Sequence, residues 1–221
     1  MELTTAVKER CSIRKFKTID IPRNLVEQIL DVARWSPSWG NTQPWEFYVL
    51  TGESLEKYKE MNRSKQEAGE APFPDVRMPQ KWPDILKKRY EESVANILIA
   101  QGIKREDKAA RNQYYREMAS LFGAPCLILA CIPQVTSVEY AMLDMGLIIQ
   151  TMCLLAHEKG LGTCIMASAV LYPSAIREIA SIPDDKKIIA GIALGYPDPA
   201  FSSNAIERKR AEITEIFHWL E

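Results

Sequence analysis

Arg10-Cys11-Ser12-Ile13-Arg14 and, one helix later, Ser36-Pro37-Ser38-Trp39-Gly40-Asn41-Thr42-Gln43-Pro44-Trp45 are the stretches on which the reading of this chain turns. Two arginines that bracket a serine at a helix end can hold a phosphate and a second electron-rich group together. The guanidinium fork binds oxyanions bidentately and keeps its charge. A further cationic stretch, Arg208-Lys209-Arg210, stands far away in sequence, ahead of an apolar tail at 213–219. Each stretch has a plain alternative. Residues 10–14 would serve equally as the solvated end of a helix, and Ser-Pro with Gln-Pro is turn punctuation ahead of a strand opened by Trp45. That alternative accounts for the prolines and leaves Ser38, Asn41 and Gln43 without a role.

Outward from these stretches, residues 2–11 have the pattern of a short helix that ends on the first motif. A second helix follows, with Pro22 suited to its first turn, Leu25, Ile29, Val32 and Ala33 at near-helical spacing, and Ser36-Pro37 as its stop. Residues 45–50 are aromatic and branched, the composition of a strand, closed by Thr51-Gly52. A helix is expected over 54–65. Residues 66–83 break the rhythm, with Pro72, Pro74, Pro79 and Pro83 among Phe73, Met78 and Trp82. A proline-rich loop of that length inside a compact domain is usually functional or mobile. Residues 84–120 read as helix, charged on one side and interrupted near Gly102, and the apolar run 126–132 between Pro125 and Pro133 reads as a buried strand. Residues 137–159 are apolar on almost every face, which predicts burial all round, most easily if part of the helix meets a second subunit. Gly160 supplies a C-cap, 161–166 a third strand, 173–180 a helix and 187–194 a fourth strand. The alternation fits an α+β fold, an α/β sandwich, in a single domain spanning 1–221.

With 47% hydrophobic and 26% charged residues in 221, the chain can bury one ordinary core and is not of disordered type. Its 28 basic and 29 acidic side chains leave a net charge of −1, so no surplus exists to hold a nucleic-acid backbone or an anionic membrane. Local clusters are therefore small-anion sites or solvated faces, and Lys87-Lys88-Arg89 and Lys186-Lys187 read as the latter. Five cysteines without a CxxC pair, beside only His157 and His218, argue against a structural metal site. Cys126, Cys131, Cys153 and Cys164 lie in apolar runs, as reduced core thiols do, and with no leader and no run of about 18 apolar residues the expected location is cytoplasmic. Gly160-Leu161-Gly162 lacks the third glycine of a dinucleotide fingerprint, and no P-loop, HExxH or GxSxG is present. Cys153 and His157, one turn apart on an apolar helix, read as core or interface, as do Met142, Met145 and Met152.

Taken together and in this order, the three stretches resemble the FMN-dependent nitroreductase family, over nearly the whole chain. The resemblance implies a central mixed sheet flanked by helices in an intertwined homodimer. It places Arg10 and Ser12, with Cys11 between them, at the FMN phosphate and Arg14 at the pyrimidine edge, with Arg208 and Arg210 closing from the tail. Pro37, Ser38 and Asn41 would come from the partner subunit and pack along the isoalloxazine. A backbone N–H near Ile165-Met166-Ala167-Ser168 would face flavin N5, with Met166 and Ala167 the nearest positions, although the Glu-Gly pair of several relatives is absent here. A polar residue on the helix before the second strand falls near Arg116. The implied reaction is ping-pong: NADH or NADPH delivers hydride to the flavin, and a small electron-poor aromatic or a quinone takes the electrons. No dedicated acid or base is needed, since the cofactor carries the chemistry. An insertion around 66–116, with Phe73, Met78 and Trp82, would form a lid over the acceptor. The alternatives are a flavin-binding or redox-sensing protein without turnover, or another reaction on this fold, such as reductive dehalogenation or dehydrogenation.

Overall fold

The computed structural model describes residues 1–206 and 208–220, the side chains of 202 and 203 apart. Four strands form its centre: β1 (Glu46–Leu50), β2 (Cys126–Pro133), β3 (Gly162–Met166) and β4 (Lys186–Gly195). They lie in the order β1-β2-β4-β3, and every neighbouring pair is antiparallel. The parallel component expected of a mixed sheet comes from outside the named strands, where Ser12 bridges Thr163 in parallel beside β3.

Around the sheet run α1 (Leu3–Glu9), α2 (Arg23–Ala33), α3 (Gly52–Glu67), α4 (Asp84–Ala100), α5 (Lys108–Ala119), α6 (Val138–Glu158), α7 (Pro173–Ala180) and a last turn, α8 (Ile213–Ile216). Antiparallel strands with one wet face alternate apolar and polar residues, whereas β2 is apolar throughout because both its faces are covered. Ile128, Ala130 and Ile132 face Val26 and Ile29 of α2 and Met145, Ile148 and Met152 of α6. Leu127, Leu129 and Cys131 face Leu55 and Tyr58 of α3 and Ile176 of α7. Burial pushes the Cys126 and Cys131 thiols up to about 12, the behaviour of inert core cysteines.

Within one chain α6 is only partly covered. It is buried on one side only: Ala141, Asp144, Met145, Ile148, Ile149 and Met152 turn inward, while Met142, Leu143, Gly146, Leu147 and Gln150 are exposed. By length and composition this helix of 21 residues would also suffice to cross a membrane, although Asp144, Gln150 and Thr151 interrupt its apolar run and its inner face is committed to the core. It ends as expected at Gly160, whose φ of +75° is open to a residue without a Cβ.

The proline-rich loop is anchored along its first half. Asp75 accepts from the backbone N–H of Ile188 at 2.8 Å and from Arg177 Nη2 at 2.6 Å, next to the point where the β2–β4 register slips between Ala130 and Cys131. Ile188 lies beyond the last β3–β4 pair, Met166 with Gly191, so β3 does not take its N–H and a carboxylate can. Beyond the loop, α4 contributes no buried residue.

Candidate functional site

The segment after α1 owes its position to two glycines. Gly162 and Gly195 face each other in the β3–β4 register. A Cβ on Gly162 would stand 2.4 Å from Cγ1 of Ile13, and one on Gly195 would stand 2.7 Å from Cδ1 of Phe16. Neither approach is compatible with a side chain, so the bare backbone is the floor on which Ile13 and Phe16 rest. Ile13 donates to the Thr163 carbonyl at 2.9 Å, which lays the segment along β3. With Ile13 turned inward, the alternation of an extended chain turns Ser12 and Arg14 the other way.

There they line a cavity of about 450 Å³. Arg10 and Arg14 enter it from this segment, Lys88 and Arg89 from α4, and Arg208, Lys209 and Arg210 from the tail, opposed by Glu92 and Glu215. Such a concentration of positive charge in a chain of net charge −1 marks an anion site. Among the described residues Arg10 Nε is buried without a hydrogen-bond partner, and an orphan cationic donor of that kind is costly unless an anion accepts from it. Arg208 is already engaged: its guanidinium donates to the carbonyls of Lys8, Glu9 and Arg10 and so caps α1. Arg89 is held by Glu215 at 2.8 Å, while Arg210 donates only to the neighbouring Lys209 carbonyl, at 2.9 Å.

Arg14 sits deeper. It donates to the Ser12 carbonyl at 3.2 Å and interacts with the Tyr114 hydroxyl and the Cys164 thiol. Burial pushes both groups above their ordinary values, and the positive charge of Arg14 pulls each back. Arg14 is thus a permanent positive charge on the cavity wall. Tyr114 lies two residues from Arg116, the position that the resemblance indicated on α5. The structure does not bring Arg116 to this cavity: it pairs with Glu67 at 3.1 Å and lines a separate groove between α3 and α5.

Pro37, Ser38 and Asn41 do not line the cavity of their own chain. They belong to a loop fastened along α6. The Trp39 N–H donates to buried Asp144 at 2.9 Å, Ser36 Oγ donates to Thr151 at 2.9 Å, and Ser38 Oγ accepts from the Gln43 N–H at 2.9 Å. Gly40, Asn41 and Gln43 all have φ between 48° and 57°, left-handed values that cost a non-glycine residue energy and occur where a loop must present its groups in one way. At the end of β3, Met166 is buried and Ile165 and Ala167 are exposed, and none of the three lines the cavity. Phe73, Met78 and Trp82 are exposed and outside the cavity; Trp82 stacks on Tyr90 of α4 with ring centres 6.2 Å apart and planes at 9°.

Four residues escaped the sequence reading. Lys88 and Arg89 look like a solvated run until α4 folds over the cavity, and Tyr114 and Asn204 belong to no motif. Asn204 lines the cavity too, and it holds the backbone of Arg14 and Lys15.

Comparison with known proteins agrees with this geometry. Over residues 7–196 the chain matches the family model described as the nitroreductase family. It is 32% identical to a 4-nitrobenzoate reductase of Nocardioides sp. (strain LMS-CY), covering 96% of this chain and 88% of that protein. With a 4-nitrobenzoate reductase of Pseudomonas putida it shares 29% identity over 99% and 96% of the two chains. The crystal structure of an FMN and NADPH-dependent nitroreductase, NfnB from Sphigopyxis sp. strain HMH, superposes with a TM-score of 0.96 at 26% identity and covers both chains fully. A cationic cavity floored by paired glycines, a match over most of the length and a shared fold lead to one assignment: the chain belongs to the nitroreductase family.

Proposed function

We propose that this protein is an FMN-dependent oxidoreductase that reduces nitroaromatic or similarly electron-poor acceptors with NADPH or NADH, working as a homodimer. The observation that carries the reading is the orphan Nε of Arg10 in a cavity with six further cationic side chains, a donor set suited to a phosphate dianion. FMN, when bound, takes hydride from the nicotinamide and passes electrons to the acceptor. The chain's own residues bind and tune. Arg10, Ser12 and Arg210 hold the phosphate, Arg208 fixes the α1 carbonyls around it, and Arg14, braced by Tyr114, sets a permanent positive charge where the pyrimidine edge gains electrons. Like-signed acids are kept to Glu92 and Glu215 at the rim.

The homodimer follows from the exposed face of α6 and from the loop beside it. Trp35 and Trp39 are largely exposed, Trp39 packs on Tyr140 of α6 with ring centres 5.7 Å apart, and Gly146 leaves open space on the outward side of the helix. A second copy covering this face would receive Pro37, Ser38 and Asn41 at its own flavin, so the 1–221 domain completes its site only in pairs. The segment 66–116 would act as the lid, and reduced, buried thiols fit a cytoplasmic setting. The 4-nitrobenzoate reductases among the relatives make a nitrobenzoate the first acceptor to try.

The experiment is anaerobic. Purified protein reconstituted with FMN is mixed with NADPH or NADH, and flavin bleaching is followed, then reoxidation by 4-nitrobenzoate or a quinone. Bleaching within seconds, followed by acceptor-dependent recovery, is expected. A protein that retains FAD alone, or FMN that stays oxidised for minutes, would overturn the reading; the latter outcome would favour a flavin-binding protein without turnover.

A further inference from the structure

We propose that Asn204 is a positioning residue for the flavin site, the point at which the C-terminal tail sets the geometry of Arg14. The assignment rests on the FMN reading given above.

Asn204 stands 190 residues from Arg14, yet its Oδ1 accepts from the Arg14 backbone N–H at 2.7 Å. Its Nδ2 donates to the Lys15 carbonyl at 2.9 Å and to the Asp198 carbonyl at 3.0 Å. Its own carbonyl accepts from the Cys11 thiol at 3.4 Å. A carboxamide offers one oxygen and two N–H donors. Here all three are used on backbone, two of them on consecutive residues, Arg14 and Lys15, of which Arg14 lines the cavity.

The need for such a side chain follows from the pairing of residues 11–16. Ile13 donates to Thr163 on β3, so the next N–H, that of Arg14, points away from the sheet. Left unpaired and half-buried it would compete for other acceptors or draw in water. Asn204 takes that N–H and, by holding the Lys15 carbonyl as well, fixes the peptide plane that follows Arg14. Neighbouring bonds close the frame: Asp198 N–H donates to Lys15 O at 3.0 Å and Lys17 N–H to Tyr196 O at 2.9 Å. Arg14 therefore has its backbone fixed by the tail and its side chain flanked by Tyr114 and Cys164. A guanidinium that tunes a ring edge has to stay within a few tenths of an ångström of its place, since charge stabilisation depends on preorganisation. Asp and Ser would not replace the amide: one lacks the donors and the other is too short to span both partners.

The test is a double-mutant cycle on the FMN-loaded dimer, with the flavin midpoint potential as the readout. Asn204→Ala should shift the potential in the same direction as Arg14→Ala, and slow hydride uptake roughly fivefold to tenfold, the worth of about one net hydrogen bond. FMN would still bind, and the melting temperature would fall only slightly. In the double variant the potential should match that of Arg14→Ala alone, because nothing is left for Asn204 to position. Should Asn204→Ala not fold, Asn204→Ser carries the same cycle. Additive shifts, or an unchanged potential in a folded Asn204 variant, would overturn the role given to Asn204 and leave the cofactor assignment intact. A wild-type protein that fails to bind FMN would overturn the cofactor reading, and this assignment with it.

Discussion

At the scale of single residues, Gly162 explains more of the site than any charged group does. Its hydrogen occupies the space where a Cβ would meet Ile13 at 2.4 Å and Pro197 at 2.9 Å, so the wall that carries Ser12 and Arg14 can lie flat only on a glycine. Gly162→Ala should therefore lift the 11–16 segment or open the β3 edge. Overpacking of this kind costs about 1–3 kcal/mol. For a domain of this size each kcal/mol lowers Tm by roughly 2–4 °C. FMN affinity should fall in parallel, because Arg10 and Arg14 ride on the displaced backbone. Thermal melts and flavin-fluorescence titrations check this, and a variant with the Tm and affinity of the wild type would contradict it. From sequence, Gly162 is only part of a dinucleotide motif that lacks its third glycine. Its meaning depends on Ile13 approaching from some 150 residues away, and no local pattern encodes such an approach. Arg10 and Arg14 were legible for the opposite reason: their chemistry is local and their spacing is short. Arg208 was legible as a cation and not as a cap, since which carbonyls it meets depends on where α1 ends.

At the scale of elements, the four strands and most helices lie within a residue or two of their expected places, because β2 and β4 are unbroken apolar runs and prolines or glycines mark the ends of their neighbours. The segment 66–83 was only half legible. Its prolines announce a loop without saying where it is fixed. The structure ties the first half through Asp75 and leaves the second half leading into α4, where Trp82 stacks on Tyr90. The two halves should therefore respond differently to substitution. Asp75→Ala takes from the little-exposed Arg177 guanidinium its part-buried carboxylate partner, leaving it the Lys186 carbonyl and exposed Asp184, and frees the Ile188 N–H; it should cost about 3 kcal/mol of stability with uniform effects on all acceptors. Trp82→Ala removes a stack between two rings that are both still exposed, so Tm should move little. Because α4 also places Lys88 and Arg89 on the cavity, loosening it should change kcat/KM for nitroaromatic and quinone acceptors by unequal factors. Melting curves and acceptor panels on the two variants decide the matter. Equal loss across acceptors in Trp82→Ala would remove the lid role from this end of the loop.

At the scale of the whole molecule, the outward face of α6 is the feature a single chain leaves unfinished. Met142, Leu143, Gly146, Leu147 and Gln150 recur with helical spacing on the exposed side, and Tyr140 extends the face toward Trp39. The all-round apolar character of residues 137–159 implied a further covering layer, but a hydrophobic pattern cannot say which residues meet their own sheet and which face outward. Gly146 gives the sharper argument. A glycine in mid-helix costs about 1 kcal/mol relative to alanine. Here it has open space outward and no turn to make, which suits the close approach of another helix. Gly146→Arg should be neutral or helpful to the isolated helix while placing a long charged side chain in that approach. The expected outcome is a monomer by light scattering at micromolar concentration, with unchanged helix content. FMN affinity should drop at least tenfold, about 1.4 kcal/mol, because Ser38 and Asn41 would no longer reach the flavin of a neighbour. A variant that stays dimeric with wild-type affinity would dismiss this face as the interface. A monomer that keeps FMN as tightly as the wild type would instead separate dimerisation from the cofactor and return the whole site to one chain.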